Sequence, residues 1–259
     1  MTGSPRPAYS LQRRRARWLW LGAFLAAAAM VGLAGLLWWR SPGVDLSQWR
    51  RGAPPHQWAT WERQEARWRK ERTRRTPEHA YVPLREIGLN LPLAVLVSED
   101  INFFGHGAVD LEAVSEALRE QHSGGRLRGA STISQQLAKN LFLSGERTLI
   151  RKLKEARLAA ALERELSKRR ILELYLNVVE FAPGVYGCEA ASRHYYGVSA
   201  RDVTAEEAAG LAAAIPSPGK DNPATATRRW RTRSELIRTR MDHAAWLREL
   251  LRRLPSAGD

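Results

Sequence analysis

Residues 18–39 read WLWLGAFLAAAAMVGLAGLLWW, a run of 22 without a charged or strongly polar side chain. About 20 such residues cross a ~30 Å hydrocarbon core as a helix. Trp18 and Trp20 at one end, with Trp38 and Trp39 at the other, stand where interfacial aromatic belts form. The run exceeds the roughly 7–15 apolar residues of a cleaved leader and ends in Trp-Trp-Arg rather than a small-residue site. It predicts an uncleaved anchor. Arg13, Arg14, Arg15 and Arg17 precede the span and only Arg40 follows closely. The positive-inside bias then predicts a cytoplasmic N-terminus and an extracytoplasmic remainder.

Past the anchor the period changes to that of helices. Apolar stripes at 3.6-residue spacing predict helices over 110–120, 134–143, 148–167, 168–179 and 205–214, punctuated by Gly and Pro. The apolar run 93–97 fits a short strand or a buried helical turn equally, because so short a run has no diagnostic period. Neither a GxGxxG turn nor a βαβ alternation is present, so a Rossmann-type nucleotide-sugar enzyme is not indicated. Trp58, Trp61 and Trp68 share one helical stripe among Arg and Lys. Such a stripe suits a membrane interface, or packing onto the adjoining domain. The resulting plan is mainly α: a basic tail over 1–17, an anchor over 18–39, a Trp-containing stalk over 40–80, a folded domain over 81–227 and a basic helical tail over 228–259.

Charge sharpens that plan. The formal charge is +14, yet residues 1–80 alone carry a net +10 and residues 228–259 a net +5, leaving 81–227 near −1. A nucleic-acid binder carries its basic face on the folded domain itself. Charge that flanks the domain points instead to an anionic membrane surface. The single Cys188 excludes an intrachain disulfide framework and a cysteine-based zinc site, and the six His show no metal-ligand spacing.

Three polar clusters are candidates for chemistry, and each has an ordinary structural explanation. Ser98-Glu99-Asp100, followed by Phe103, Phe104 and His106, suits a helix N-terminus. Around Ser131, Thr132 and Gln135 fit a capping box, with Ile133, Leu137 and Leu141 on one face and Gln135, Gln136 and Lys139 opposite. A Gly-Ala-Ser-Thr helix start is also a plausible anion cradle. Arg147 precedes Arg151 and Glu155, which are i, i+4 partners.

Their order and spacing are more specific than any one of them. Glu99-Asp100-x-x-Phe103-x-x-His106 resembles the first motif of the family-51 peptidoglycan glycosyltransferases in their monofunctional membrane-anchored form. Gly129-x-Ser131-Thr132-Ile133-x-Gln135-Gln136-x-x-Lys139-Asn140 resembles the second and Arg151-Lys152-x-x-Glu155 the third. Lys168-x-x-Ile171-Leu172-Glu173-x-Tyr175-Leu176-Asn177 resembles the fourth, and Tyr186-Gly187-x-Glu189-Ala190-Ala191 the fifth. The resemblance runs over residues 56–223. Ala108 and Ala182 stand where the family usually has Gly, which puts two loops in question if those positions need positive φ.

The resemblance implies a lysozyme-like helical domain that polymerises lipid II at the outer face of the bacterial inner membrane. The donor would be the growing undecaprenyl-pyrophosphate-linked glycan, the acceptor the 4-hydroxyl of lipid II, and the product a β-1,4 linkage formed with inversion. Such a reaction needs a general base for the hydroxyl, the role that Glu99 matches. It also needs fixed positive charge, or a divalent cation such as magnesium or manganese, at the leaving pyrophosphate. Lys139, Arg147 and Arg151 match the cations. Ser131, Thr132, Gln136 and Asn140 match neutral contacts, and Glu155 the second acid that orients the cations or holds a metal. Asp100, Phe103 and His106 match supports of the first motif. The expected partners are lipid II, anionic lipid and other wall-synthesis proteins, and not nucleic acid. The alternatives are a lysozyme-like lytic glycosidase and a non-catalytic scaffold for wall synthesis. Ser217-Pro218-Gly219-Lys220 spells a penicillin-reactive S-x-x-K, but with 39 residues after it and no K-T-G it reads as coincidence, so a monofunctional enzyme is expected.

Overall fold

The computed structural model describes residues 43–54, 58–122, 131–143, 145 and 148–254, with helical positions 30, 32, 33 and 35 inside the apolar run. The rest of the expected anchor, the tail over 1–17, Gly129 and Arg147 lie outside the described residues. Among the described residues no helix is long and apolar enough to cross a membrane. The chain divides into two units, Met1–Gly43 and Val44–Asp259. The second unit holds all five motifs.

Its helices are α1 (Ala59–Lys70), α2 (Asn90–Glu99), α3 (Leu111–His122), α4 (Ile133–Phe142), α5 (Leu149–Glu165), α6 (Lys168–Val178), α7 (Cys188–Tyr196), α8 (Ala205–Ala214), α9 (Arg228–His243) and α10 (Ala245–Arg253). Hydroxyl caps start five of them. Thr132, Thr148, Ser167, Thr204 and Thr227 each accept the backbone N–H three residues on, satisfying a donor the helix cannot. Helix α2 settles the ambiguous run 93–97. Its residues Leu91 to Val97 are all buried, so it is apolar all round and shows no stripe. It packs on α8 and α9, while α4 packs on α5 and α6.

A small sheet closes one side: β1 (Glu78–His79), β2 (Glu180–Ala182) and β3 (Val185–Tyr186), in the order β1-β3-β2. Strands β1 and β3 run parallel with Glu78 opposite Val185, and β2 pairs antiparallel to β3. Gly184 turns between β2 and β3 at φ +82°, and a Cβ there would lie 2.1 Å from the Trp68 ring. Ala108 and Ala182 do not need their family's glycine: among the described residues, Arg72 and Ala226 are the non-glycine positions with positive φ.

Two expected boundaries move. The segment expected as a stalk over 40–80 is part of the folded unit from Val44 onward. Trp58 and Trp68 are buried, and Trp58 sits edge-on to Tyr186 at 5.5 Å while Trp61 stacks on that ring at 5.6 Å. The Trp stripe therefore packs on the domain rather than on lipid. The segment expected as an accessory tail over 228–259 also belongs to this unit. Helices α9 and α10 bury Ile237, Met241, Leu247 and Leu251 in its core.

The fourth motif is scaffolding. Glu173 accepts the Tyr81 hydroxyl at 3.0 Å, the Leu84 N–H at 2.7 Å and the Arg170 guanidinium. Asn177 exchanges two 2.9 Å hydrogen bonds with the Val82 backbone, and Arg170 donates to the carbonyls of Trp49 and Gly52. These buried side chains clip residues 49–52 and 81–84 onto α6. Glu189 of the fifth motif does the same for the Ala200 N–H at 2.7 Å. Cys188 is buried, which pushes its thiol up to about 12 and keeps it out of thiolate chemistry.

Candidate active site

Glu99 is the last residue of α2, not the start of a helix as its acidic neighbours suggested. A carboxylate at a helix C-terminus meets the negative end of the dipole and needs compensation. Three donors supply it. Arg233 of α9 reaches Oε1 at 2.9 Å, the Ser98 hydroxyl reaches the same oxygen at 3.0 Å, and Gln136 Nε2 of α4 reaches Oε2 at 3.0 Å. The Glu99 side chain is about 10% exposed, so its oxygens face a restricted opening. Arg233 was missed because its stretch read as a basic tail; nothing local marks it.

Asp100 does serve a helix N-terminus, but that of α4. Its Oδ2 accepts the Ile133 N–H at 2.9 Å and its Oδ1 faces His106 Nε2 at 2.7 Å. His106 Nδ1 faces the Gly107 carbonyl at 2.7 Å, so both ring nitrogens meet acceptors. Burial opposes charge on the imidazole, yet the Asp100 and Gly107 hydrogen bonds prevail and its pKa lies above the usual histidine value. Burial also raises the Asp100 carboxyl, against the pull of His106 and the Ile133 N–H. The pair thus retains a proton more readily in the fold, and the geometry places it on the ring. Thr132 caps the same helix end, taking the Gln135 N–H and donating to the Ala108 carbonyl at 2.8 Å. With Ile133 N–H given to Asp100, this helix start is not the free anion cradle expected. Phe103 is wholly buried with Lys168 Nζ 4.3 Å from its ring centroid. Motif one is thereby bolted to motif two.

Beside Glu99 opens a cleft of about 480 Å³ whose walls include Ser131, Gln136, Lys139, Asn140, Arg151 and Glu155. These six, scattered over 25 positions of sequence, were all candidates on the sequence. Glu155 is buried and held by Arg151 Nη1 at 3.2 Å and by Lys152, which also donates to Ser131 Oγ at 2.9 Å. The Lys139 ammonium makes no hydrogen bond or ion pair with a described residue. Burial pushes its ammonium below the usual lysine range; Glu155 opposes the drop, and Arg151, Lys152 and Arg63 deepen it. Thr60 and Arg63 of α1 complete this wall, and Thr60 Oγ1 donates to the Asn140 carbonyl at 3.4 Å. Arg63 was missed because α1 read as a stalk; its i, i+3 Trp stripe was the available signal for docking. A second cavity of about 270 Å³ lies on the other side of Glu99, with Asp100, Ser131, Thr132 and Arg240 in its wall. Ser131 borders both.

The cleft can bind an anion and hold one carboxylate at its edge. Glu155 is committed to two cations, and among the described residues no three His, Cys, Asp or Glu side chains converge as a metal cluster would.

Comparison with known proteins agrees with this layout. Residues 66–242 match the family model described as Transglycosylase. The chain is 49% identical over 151 residues to a biosynthetic peptidoglycan transglycosylase of Nitrosospira multiformis, covering 58% of this chain and 66% of that one. It is 48% identical over 157 residues to the protein of that name from Aeromonas hydrophila, covering 58% and 67%. It is 40% identical to that of Thiobacillus denitrificans over 239 residues, which is 89% of this chain and 98% of the relative. The match over 66–242 takes in α9, and with it Arg233. The chain belongs to the transglycosylase family.

Proposed function

We infer that this chain is a peptidoglycan glycan-chain polymerase in which Glu99 is the general base and the cationic cleft receives the donor pyrophosphate. The observation that carries the reading is one juxtaposition: Gln136 lines the cleft and hydrogen-bonds Glu99. Base and anion site are thus one side chain apart. Glu99 takes the proton from the lipid II 4-hydroxyl, and the oxygen attacks the anomeric carbon of the donor sugar. The bond to undecaprenyl pyrophosphate breaks as the new β-1,4 bond forms on the opposite face. Lys139, Arg151 and Lys152 stabilise the charge that grows on the departing pyrophosphate. Glu155 keeps Arg151 and Lys152 in place, and Ser131 and Asn140 offer neutral contacts in the same wall. Arg147 joins these cations on the strength of its motif position. A lytic glycosidase would need a protonated acid in an apolar pocket, whereas three donors converge on Glu99.

The reading includes a single-pass anchor over 18–39 in the bacterial inner membrane, with residues 1–17 cytoplasmic and the folded unit outside. The apolar run and the Arg excess before it support this. So do the exposed Leu149, Ile150 and Leu153 beside Lys152 and Lys154, which suit an anionic bilayer surface. Both substrates are lipids, so residence at that surface shortens the search for them. Reporter fusions before residue 18 and after residue 40 test the topology; activity of an extracytoplasmic reporter at the first site would overturn it.

Purified full-length protein incubated with lipid II should form glycan polymer and leave finished glycan uncut. Glu99→Gln should lose about 10²–10⁴ in rate while melting like the parent. Polymerisation at the parental rate would remove Glu99 from the role of base.

A further inference from the structure

We propose that Tyr175 is a positioning residue for this reaction, holding the Gln136 side-chain amide so that its NH₂ end faces Glu99. The inference rests on Glu99 being the base.

Tyr175 lies on α6, wholly buried, and its hydroxyl donates to Gln136 Oε1 at 2.8 Å. The other end of the same amide, Nε2, donates to Glu99 Oε2 at 3.0 Å. The two ends of a primary amide have nearly the same shape, so only hydrogen bonding decides which way it points. An ionised carboxylate accepts and cannot donate. Were the amide reversed, its oxygen would oppose the Glu99 oxygens. The Tyr175 O–H would lose the acceptor it has among the described residues, inside the core. A buried donor left without a partner is costly. Burial, with Glu99 and Asp100 nearby, holds the Tyr175 phenol well above its usual range. It therefore stays a donor at any working pH and is not itself a base.

The charged groups around Glu99 are Arg233 and Arg240 of α9, Asp100 next in the chain, and Asp110 and Glu116 across the smaller cavity. None of them touches Tyr175 by a hydrogen bond. Removing the neutral hydroxyl should thus act on Glu99 chiefly through Gln136.

The test is Tyr175→Phe in the full chain, with lipid II as substrate and kcat/KM followed across about pH 5 to 9. Tyr175→Phe keeps the ring that fills the core. The acidic limb should move to higher pH by about half a unit to one unit, with kcat at neutral pH down roughly threefold to tenfold and KM little changed. Gln136→Met, which offers no donor, should move the limb the same way, and adding Tyr175→Phe to it should move it no further. A limb that stays in place in Gln136→Met, or a Tyr175→Phe shift that is equally large in both backgrounds, would overturn the proposal. Glu99→Gln in parallel separates the two ideas. If it polymerises normally, the base assignment has failed; if it is inactive while Tyr175→Phe leaves the limb unmoved, only the role of Tyr175 has failed.

Discussion

Replacing Lys139 by Met should make the protein more stable and nearly inactive. Lys139 lines a cleft together with Arg63, Arg151, Lys152 and Glu180, and with Glu155, which is already committed to two cations. It makes no ion pair with a described residue, and burial holds its ammonium below the usual lysine range, with Glu155 opposing and the three cations reinforcing. A lysine whose folded pKa is depressed costs stability while charged in both states. That cost is full below the folded pKa and fades as pH rises toward the unfolded value near 10.5. Exchanging buried ion pairs for apolar side chains of similar volume is neutral or gains about 1–4 kcal/mol. Lys139 keeps partial contact with solvent, so the low end, ~1 kcal/mol, applies. For a folded unit of this size that is a rise of about 2–4 °C in Tm. Against it stands the loss of a preorganised charge at the leaving pyrophosphate, about 10²–10³ in kcat. The assays are thermal melting of the purified variant and lipid II polymerisation at equal enzyme. The stability advantage of Lys139→Met over the parent should shrink on alkaline titration, as the parent's lysine sheds its charge. A variant that melts several degrees below the parent, or that turns over within a few-fold of it, would refute the picture of a cation held ready for an anion.

His106 gives a pH signature. Its folded pKa lies above the unfolded value of 6.5, with burial opposing and Asp100 and Gly107 prevailing; the stability this contributes is complete below that value and lost as pH rises through the folded pKa. Tm of the parent should fall on going from acid to mildly alkaline buffer, and His106→Gln should flatten that fall in a melting series. Gly184→Ala should cost about 2–4 kcal/mol, because its Cβ would meet Trp68 at 2.1 Å from a φ of +82°; a melt within a degree of the parent would show that Trp68 can yield. Glu99→Gln and Tyr175→Phe complete the set, read by polymer formation and by the acidic limb of kcat/KM.

The sequence announced its helices where one face is wet and one is dry. Helices α3 to α6 and α8 fall within a few residues of their periodic stripes, because amphipathicity is what such a stripe records. Helix α2 is buried on every side and so left no period, although it ends at Glu99. Helix α7 and the three short strands were not foreseen; strands of two or three residues leave no alternation to read. The two misdrawn boundaries share one cause. Residues 58–70 and 228–243 are rich in Arg, and Arg-rich helices read as solvated or membrane-facing. Yet Trp58, Trp68, Ile237 and Met241 are enough to dock them. Once docked, their arginines are no longer generic charge: Arg63 lines the cleft and Arg233 meets Glu99.

The motifs also mix two kinds of acid that a string of letters cannot separate. Glu173 and Glu189 are buried, as Glu155 is. What separates them is the partner. Glu173 and Glu189 accept backbone N–H groups of Leu84 and Ala200, so their charge fastens chain to chain. Glu155 accepts from Arg151 and Lys152, which border the cleft. Glu99 accepts from side chains alone, one of them lining the cleft. Asp100 shows how close the two uses can lie. One residue after Glu99, its carboxylate caps α4 and faces His106, and the helix it caps carries Gln136 and Lys139. On the proposed reading the adjacent acids divide the work: Glu99 takes the acceptor proton while Asp100 holds the helix that lines the donor cleft. A fold that let Asp100 go would keep every cation of the cleft and lose their registry with Glu99. That would explain why a helix-capping carboxylate shares a motif with the proposed base.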